Sequence, residues 1–171
     1  MPFTDLLRIS VFVTAAEATA LGAITAVAAN RDGDPVIVFG AAGWWLISLA
    51  VGFYLGRPER AADAVRDALA RARTATSLPP QAPTRIVLER LWPVALTAIA
   101  AGVLGIFFPG VAAVGAGYAL IASLAWHTRE AAVLGVEQRD GVRFYVVPGS
   151  AFQPVELVRT PGLRSDRLTA T

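Results

Sequence analysis

The sequence contains no cysteine and no lysine, and its only histidine is His127. Without cysteine, the chain has no disulfide framework, thiolate metal site or cysteine nucleophile. A single histidine cannot provide a bis-histidine haem site, so we expect neither a cofactor nor a metal. All 15 basic residues are arginine, which together with the many alanines is typical of a GC-rich bacterial genome.

Charged residues are also scarce, at 16% of the chain, whereas ordinary soluble domains have roughly 25%. Hydrophobic residues make up 55%, and they fall in blocks close to the roughly 20 residues that a helix needs to cross a bilayer. The composition therefore predicts an integral membrane protein. A net charge of +2 is too small to indicate a nucleic-acid partner.

Four apolar segments predict transmembrane helices arranged as two hairpins. Spans 6–29 and 35–55 are joined by the polar turn NRDGD, and spans 92–108 and 111–126 by FFPG. Asp34 stands before a proline, a pairing typical of a helix start. The expected fold class is an all-α membrane protein, a four-transmembrane-helix bundle with a cytoplasmic loop helix and a small β-prone tail.

The predicted segments follow from this pattern. Residues 1–56 are the first hairpin, 57–84 an amphipathic helix with a Pro-rich linker, 85–127 the second hairpin and 128–171 the tail. In the tail, AAVLGVEQ and VRFYVV flank an Asp-Gly pair, which predicts a β-hairpin, and PVELVRT predicts a third strand. So small a sheet cannot bury much core alone, so we expect it to rest on the loop helix, another copy or a partner.

Arginine placement predicts the orientation. The loop after the second span and the tail are rich in arginine, whereas the opposite side has only Arg31, beside Asp32 and Asp34. By the positive-inside rule, both arginine-rich segments and both termini are cytoplasmic, and the composition indicates a bacterial plasma membrane. Trp92 and Trp126 fall near the same ends, where an aromatic belt is expected.

The most informative charged residue is Glu17, in the middle of the first span. A charge at the bilayer centre costs on the order of 2.5–3.5 kcal/mol, and something must offset that cost. Arg8, Arg90 and His127 all fall near the cytoplasmic ends of their helices. The chain therefore offers no cation at the depth of Glu17.

Three explanations for Glu17 stay open. It is neutral and hydrogen-bonded to Ser10, Thr14 or another helix, or it binds a proton or cation as its function, or a partner chain supplies the basic group. The opposite side of the helix carries small residues that would let another helix approach closely. The predicted helix-packing residues are Ala15, Thr19, Gly22 and Ala26 in the first span and Gly52 and Gly56 in the second.

Three aromatic residues, Trp44, Trp45 and Tyr118, fall in mid-span and not at an interface. One interpretation is an aromatic wall for an organic cation or a lipid-like ligand. The favoured one is packing, the usual role of buried aromatic side chains. Residues 43–47 (GWWLI) resemble residues 117–121 (GYALI), as a duplication of the hairpin would produce, although apolar segments also match by chance.

The function expected from these features is that of an accessory or scaffolding subunit of a membrane complex, without enzymatic activity. Its partners would be the lipid bilayer and either another membrane protein or further copies of itself. The alternative is a small oligomeric transporter coupled to protons or cations through Glu17. An intramembrane enzyme is least favoured, because no nucleophile motif or phosphate-binding loop is present and the charged residues are scattered.

Overall fold

The computed structural model describes residues 1–74 and 83–161, and in this part the chain forms five helices and three short strands. The helices are α1 Phe3–Asp32, α2 Pro35–Leu55, α3 Pro58–Ala70, α4 Pro83–Phe107 and α5 Pro109–Asp140, and the strands are β1 Arg73–Thr74, β2 Val142–Val146 and β3 Leu157–Pro161. Helices α1, α2, α4 and α5 are long and apolar enough to cross a membrane, which confirms the prediction of a four-span helical bundle. Most of the expected Pro-rich linker lies outside the described residues.

The helix boundaries follow local sequence signals. Gly33 ends α1 in the left-handed conformation, with φ of 65°, which glycine adopts at little cost. The Asp34 carboxylate then accepts a hydrogen bond from the Val36 N–H at 2.9 Å, so the predicted helix start is confirmed. Pro58 and Pro109 occupy the first positions of α3 and α5, where the missing proline N–H has no intrahelical partner to lose.

Helix α5 is the centre of the four long helices, which we call the bundle. It packs on α1, α2 and α4, whereas α1 and α2, although consecutive, make only a small contact with each other. In the most apolar 18-residue stretch of α5, 39% of the residues are buried, whereas in the corresponding stretch of α4 only 11% are. Helix α5 therefore supplies the axis of the bundle, and α2 is attached mainly to α5.

The described chain has a second region at the end of the bundle where α1 and α4 begin and α5 finishes. At 1.5 Å per residue, α5 is about 48 Å long, which exceeds the roughly 30 Å hydrocarbon thickness of a bilayer. Its last turns therefore extend past the apolar layer. There they join α3, the three strands and the first turns of α1 and α4, and we call this assembly the cap.

The cap contains the larger hydrophobic cluster of the molecule. Its buried members come from α1, α3, α4, α5 and the strands, and Val133 and Val146 are completely inaccessible to solvent. The other buried members are Met1, Phe3, Leu6, Leu7, Val65, Ile86, Phe144 and Leu157. Strand β2 packs on α5 and on the start of α1, so the sheet is supported mainly by the ends of the bundle helices, and the loop helix α3 joins it through the buried cluster that contains Val65 and Leu157.

The sheet has the strand order β1-β3-β2. Strands β2 and β3 are antiparallel, with Phe144 opposite Arg159, while the two-residue β1 pairs with β3 in parallel. Both β2 and β3 fall on segments predicted as strands. Strand β1, which follows α3 directly, was not predicted, since two exposed polar residues carry no alternation signal.

The predicted first limb of the β-hairpin, AAVLGVEQ, is wrong: these residues form the last turns of α5. The segment has helical spacing, since Val133 is buried and Ala132 and Val136 pack beside it on the cap cluster. Gly141 ends the helix with φ of 62° and donates its N–H to the Glu137 carbonyl. The Asp-Gly pair is therefore a helix stop and not a hairpin turn, and α5 crosses the expected segment boundary at residue 127.

Candidate functional site

Glu17 lies on α1, half-buried at the edge of the packed face of the helix. Two turns further along the same side, Ile24 lies beside α4, where a side chain placed on Gly102 or Gly105 would touch it. Residues three, four or seven positions apart share one side of a helix, so Glu17 is directed to the flank of α1 that faces α4. Within the described part of the chain, its carboxylate has neither a hydrogen-bond nor an ion-pair partner.

Ser10 and Thr14, the expected neighbours of Glu17, use their hydroxyl groups elsewhere. Both are buried on the face of α1 that packs into the bundle. Ser10 Oγ donates to the Leu6 carbonyl at 2.8 Å and Thr14 Oγ1 donates to the Ser10 carbonyl at 2.9 Å. These bonds satisfy the two hydroxyl protons within the helix itself, so neither hydroxyl donates to Glu17.

The nearest candidate counter-charges are also occupied or remote. Arg8 pairs with Glu130 of α5 through Nη2 and Oε1 at 2.7 Å. Arg90 donates from Nη1 to the Gln153 carbonyl at 2.6 Å, which ties it to the connection between β2 and β3. Both arginines belong to the cap end, and His127 is exposed there. The cost of a charged Glu17 is therefore not offset by a basic group in the described residues.

The three mid-span aromatic residues form a packing contact between α2 and α5. Trp45 Nε1 donates to the Ala113 carbonyl at 2.9 Å, and Trp44 Nε1 donates to the Val114 carbonyl at 3.3 Å. The rings of Trp44 and Tyr118 meet edge to face with centroids 5.5 Å apart. Both indole N–H groups thus find an acceptor on the neighbouring helix, which is what an apolar environment requires.

The expected packing stripe of α1 is only partly used within the chain. Gly22 contacts Trp45 and Ala15 is half-buried, whereas Thr19 and Ala26 are exposed. The face that packs most closely is instead formed by Thr14, Ala18, Leu21, Thr25 and Ala28. Thr14 and Thr25 donate their hydroxyl protons to carbonyl groups of the same helix, so they fit a packed face.

The glycines of α2 lie where this helix approaches α5 most closely. A side chain on Gly52 or Gly56 would run into Leu124 of α5. The sequence reading missed the corresponding residue on α5, Gly117, where any Cβ would overlap Trp44 and the fully buried Ser48. The available signal was a glycine between apolar residues in mid-span, which by itself does not identify the neighbour.

Comparisons with known proteins give no relative from which a role for these residues could be inferred. The chain matches no family model, no curated protein and no solved structure. The described residues contain no group of three side chains that could hold a metal ion. The candidate functional features of the chain are therefore Glu17 and the surfaces of the cap.

The cap contains a cavity of about 530 Å³ between α3, the start of α1 and the segment that leads into β3. Arg71, Arg73 and Arg129 line it together with apolar side chains. The sequence analysis did not single out these arginines, because they are separated in the chain and acidic residues stand among them. Only the folded arrangement brings Arg129 of α5 to the same cavity as the two arginines that follow α3.

Proposed function

We propose that this chain is an accessory or scaffolding subunit of a membrane complex, without enzymatic activity. It is a multi-pass protein of the bacterial plasma membrane with its cap and both termini on the cytoplasmic side. The observation that carries the proposal is the half-buried Glu17 carboxylate, which lacks a partner among the described residues. A basic or hydrogen-bonding group from another chain would offset the cost of this acid in the membrane.

The exposed residues beside Glu17 support an intermolecular contact. Ala16 and Ala20 on α1 are both exposed and small, so a neighbouring helix can come close to the carboxylate. The cap also favours an intermolecular contact at Glu17. It joins α1, α4 and α5 at one end, so the side of α1 that carries Glu17 keeps a constant position relative to α4 and α5. The partner is a membrane protein with a basic or polar group at this depth, or a second copy of the chain.

The experiment compares complexes purified in mild detergent from the native membrane and analysed by native mass spectrometry. We expect the wild-type chain to carry a stoichiometric second protein or to form a defined oligomer. Glu17→Gln keeps the shape of the side chain but removes the charge. It should reduce the complex at least tenfold, because the basic or donor group of the partner loses the carboxylate that it meets inside the membrane.

Thr25→Val is the matched control. Thr25 is buried against the rest of the chain, and its hydroxyl donates to the Leu21 carbonyl at 2.9 Å, so this near-isosteric change cannot touch a partner. It should leave the complex unchanged. A complex that survives Glu17→Gln at wild-type abundance would refute the role proposed for Glu17.

The second candidate is an oligomeric transporter coupled to protons or cations, favoured by the partial exposure of Glu17. A carboxylate that is not fully enclosed can exchange a proton or a cation with a path formed between subunits. This function requires a homo-oligomer that stays intact in Glu17→Gln but loses pH-dependent cation uptake in vesicles. The same purification therefore separates the two candidates.

A further inference from the structure

The cap cavity has an apolar floor. Phe3 and Leu7 of α1, Val65 of α3 and Leu157 of β3 line it, and all four belong to the buried cluster of the cap. Its volume of about 530 Å³ falls within the range of sites that bind small molecules, roughly 300–1,000 Å³. A floor of this kind suits the apolar part of a ligand.

The polar part of the lining is basic. Among the described residues, Arg71, Arg73 and Arg129 line the cavity with a single acid, Glu156, which leaves an excess of two positive charges in this part of the chain. Arg71 Nε donates to the Asp67 backbone carbonyl at 2.9 Å. This bond fixes the direction of the side chain but uses only one of its five N–H groups.

Of the acids near these arginines in the sequence, Glu130 pairs with another residue, and Asp67 is exposed and is not among the residues that line the cavity. Asp63 pairs with Arg66 at 3.0 Å, and Glu130, the neighbour of Arg129 in the chain, pairs with Arg8 at 2.7 Å. Arg129 itself is half-buried and has no carboxylate partner in the described part of the chain.

The position of Arg129 on α5 indicates that the cavity lies near the expected membrane surface. Arg129 lies three residues beyond Trp126, the residue expected at the membrane surface, and it lines a second cavity together with Leu55 at the end of α2 and with Arg60 and Asp63 of α3. A half-buried guanidinium group is costly unless an anion meets it. At the level of the membrane surface, the phosphate of a lipid is an available anion.

We propose that the cap cavity binds the phosphate-bearing head of an anionic phospholipid. The phosphate lies among Arg71, Arg73 and Arg129, whose planar guanidinium groups match phosphate oxygens. The glycerol and first acyl carbons lie on the floor formed by Phe3, Leu7 and Val65. This inference does not depend on the role of Glu17, which concerns a different surface in the bundle.

The test measures binding of three probes to the purified full-length chain in detergent: dioctanoyl phosphatidic acid, dioctanoyl phosphatidylcholine and inorganic phosphate. Phosphatidic acid should bind at least tenfold more tightly than the other two. Arg71→Gln and Arg129→Gln should each weaken it about tenfold, the loss expected for one charge-assisted hydrogen bond. Arg143→Gln removes an exposed arginine of β2 outside the cavity and should change binding less than twofold.

A second pair of variants tests the cavity without altering any charge. Ala64 is exposed and lines the cavity, whereas Ala70 is exposed on the same helix and does not. Ala64→Trp should fill the mouth of the cavity and abolish phosphatidic acid binding, while Ala70→Trp should leave it intact. Equal affinity for the two lipids, or wild-type binding in Ala64→Trp and both cavity arginine variants, would overturn the proposal. Inorganic phosphate bound as tightly as phosphatidic acid would overturn the lipid assignment in favour of a soluble phosphate ester.

Discussion

The cap and the bundle are held together by different kinds of residue. The cap buries large side chains such as Phe3, Ile86 and Phe144 in one continuous cluster. In the bundle the buried cluster consists of Leu21 with Ala112 and Ala116. Apolar burial stabilises the cap because it removes surface from water. Lipid gives no such gain, so the bundle depends on close approach of small residues and on hydrogen bonds.

This contrast predicts that the largest effects of truncation lie in the cap. Ile86 is 1% exposed and Leu88, on the same helix, is 69% exposed. Ile86→Ala should reduce the free energy of unfolding by about 2–5 kcal/mol, through lost burial and the cavity left behind. Leu88→Ala should change it by less than about 0.5 kcal/mol. Denaturant unfolding in detergent measures both, and equal losses would show that the cap cluster is not a core.

In the bundle, the sensitive change is an added methyl group. Gly117→Ala places a Cβ where Trp44 and Ser48 lie, whereas Gly43, its counterpart in the apparent repeat, has open space around it. Gly117→Ala should therefore cost about 1–3 kcal/mol through overpacking. Gly43→Ala should be neutral or stabilise the helix by up to about 1 kcal/mol.

Thermal unfolding followed by tryptophan fluorescence measures this pair, since Trp44 and Trp45 report on the contact between α2 and α5. The two glycines occupy matching positions in the sequence but different environments in the fold. A Gly117→Ala variant as stable as Gly43→Ala would contradict the close approach of α2 to α5.

The smallest effect is expected at the ion pair that links the cap ends of α1 and α5. The side chain of Arg8 is 59% exposed, while that of Glu130 is 16% exposed. Exposed pairs contribute little to stability and are screened by salt. A double-mutant cycle with Arg8→Gln and Glu130→Gln should give a coupling close to zero that falls further as salt is added. A large coupling that persists at high salt would make this pair a main support of the cap.

The sequence predicted the bundle well because length and hydropathy decide the spans, and Asp34 and Gly33 mark the turn between α1 and α2. It predicted the tail less well. AAVLGVEQ fits either a strand or a helix over so short a stretch, and the packing of Val133 in the cap decides for the helix. Short apolar segments take their conformation from tertiary contacts that the sequence does not display.

The candidate sites were predicted unevenly for a related reason. Glu17 could be found from sequence alone, because an acid inside an apolar span is conspicuous. The cavity arginines could not, since Arg129 lies more than fifty residues from Arg71 and Arg73 and only the packing of α5 on α3 brings them together. The pairing of Glu130 with Arg8 is likewise a property of the fold, whereas Asp63 and Arg66 pair three residues apart on one helix.

The most direct test of the proposed role for Glu17 is photocrosslinking in the native membrane. A photoreactive amino acid replaces Ala20, which is exposed one turn from Glu17, or Ile47, which is 57% exposed on α2. We predict a crosslink to a protein from position 20 that disappears in Glu17→Gln, and crosslinks only to lipid from position 47. Lipid crosslinks alone from position 20, with Glu17 intact, would contradict the proposal that another chain meets this carboxylate.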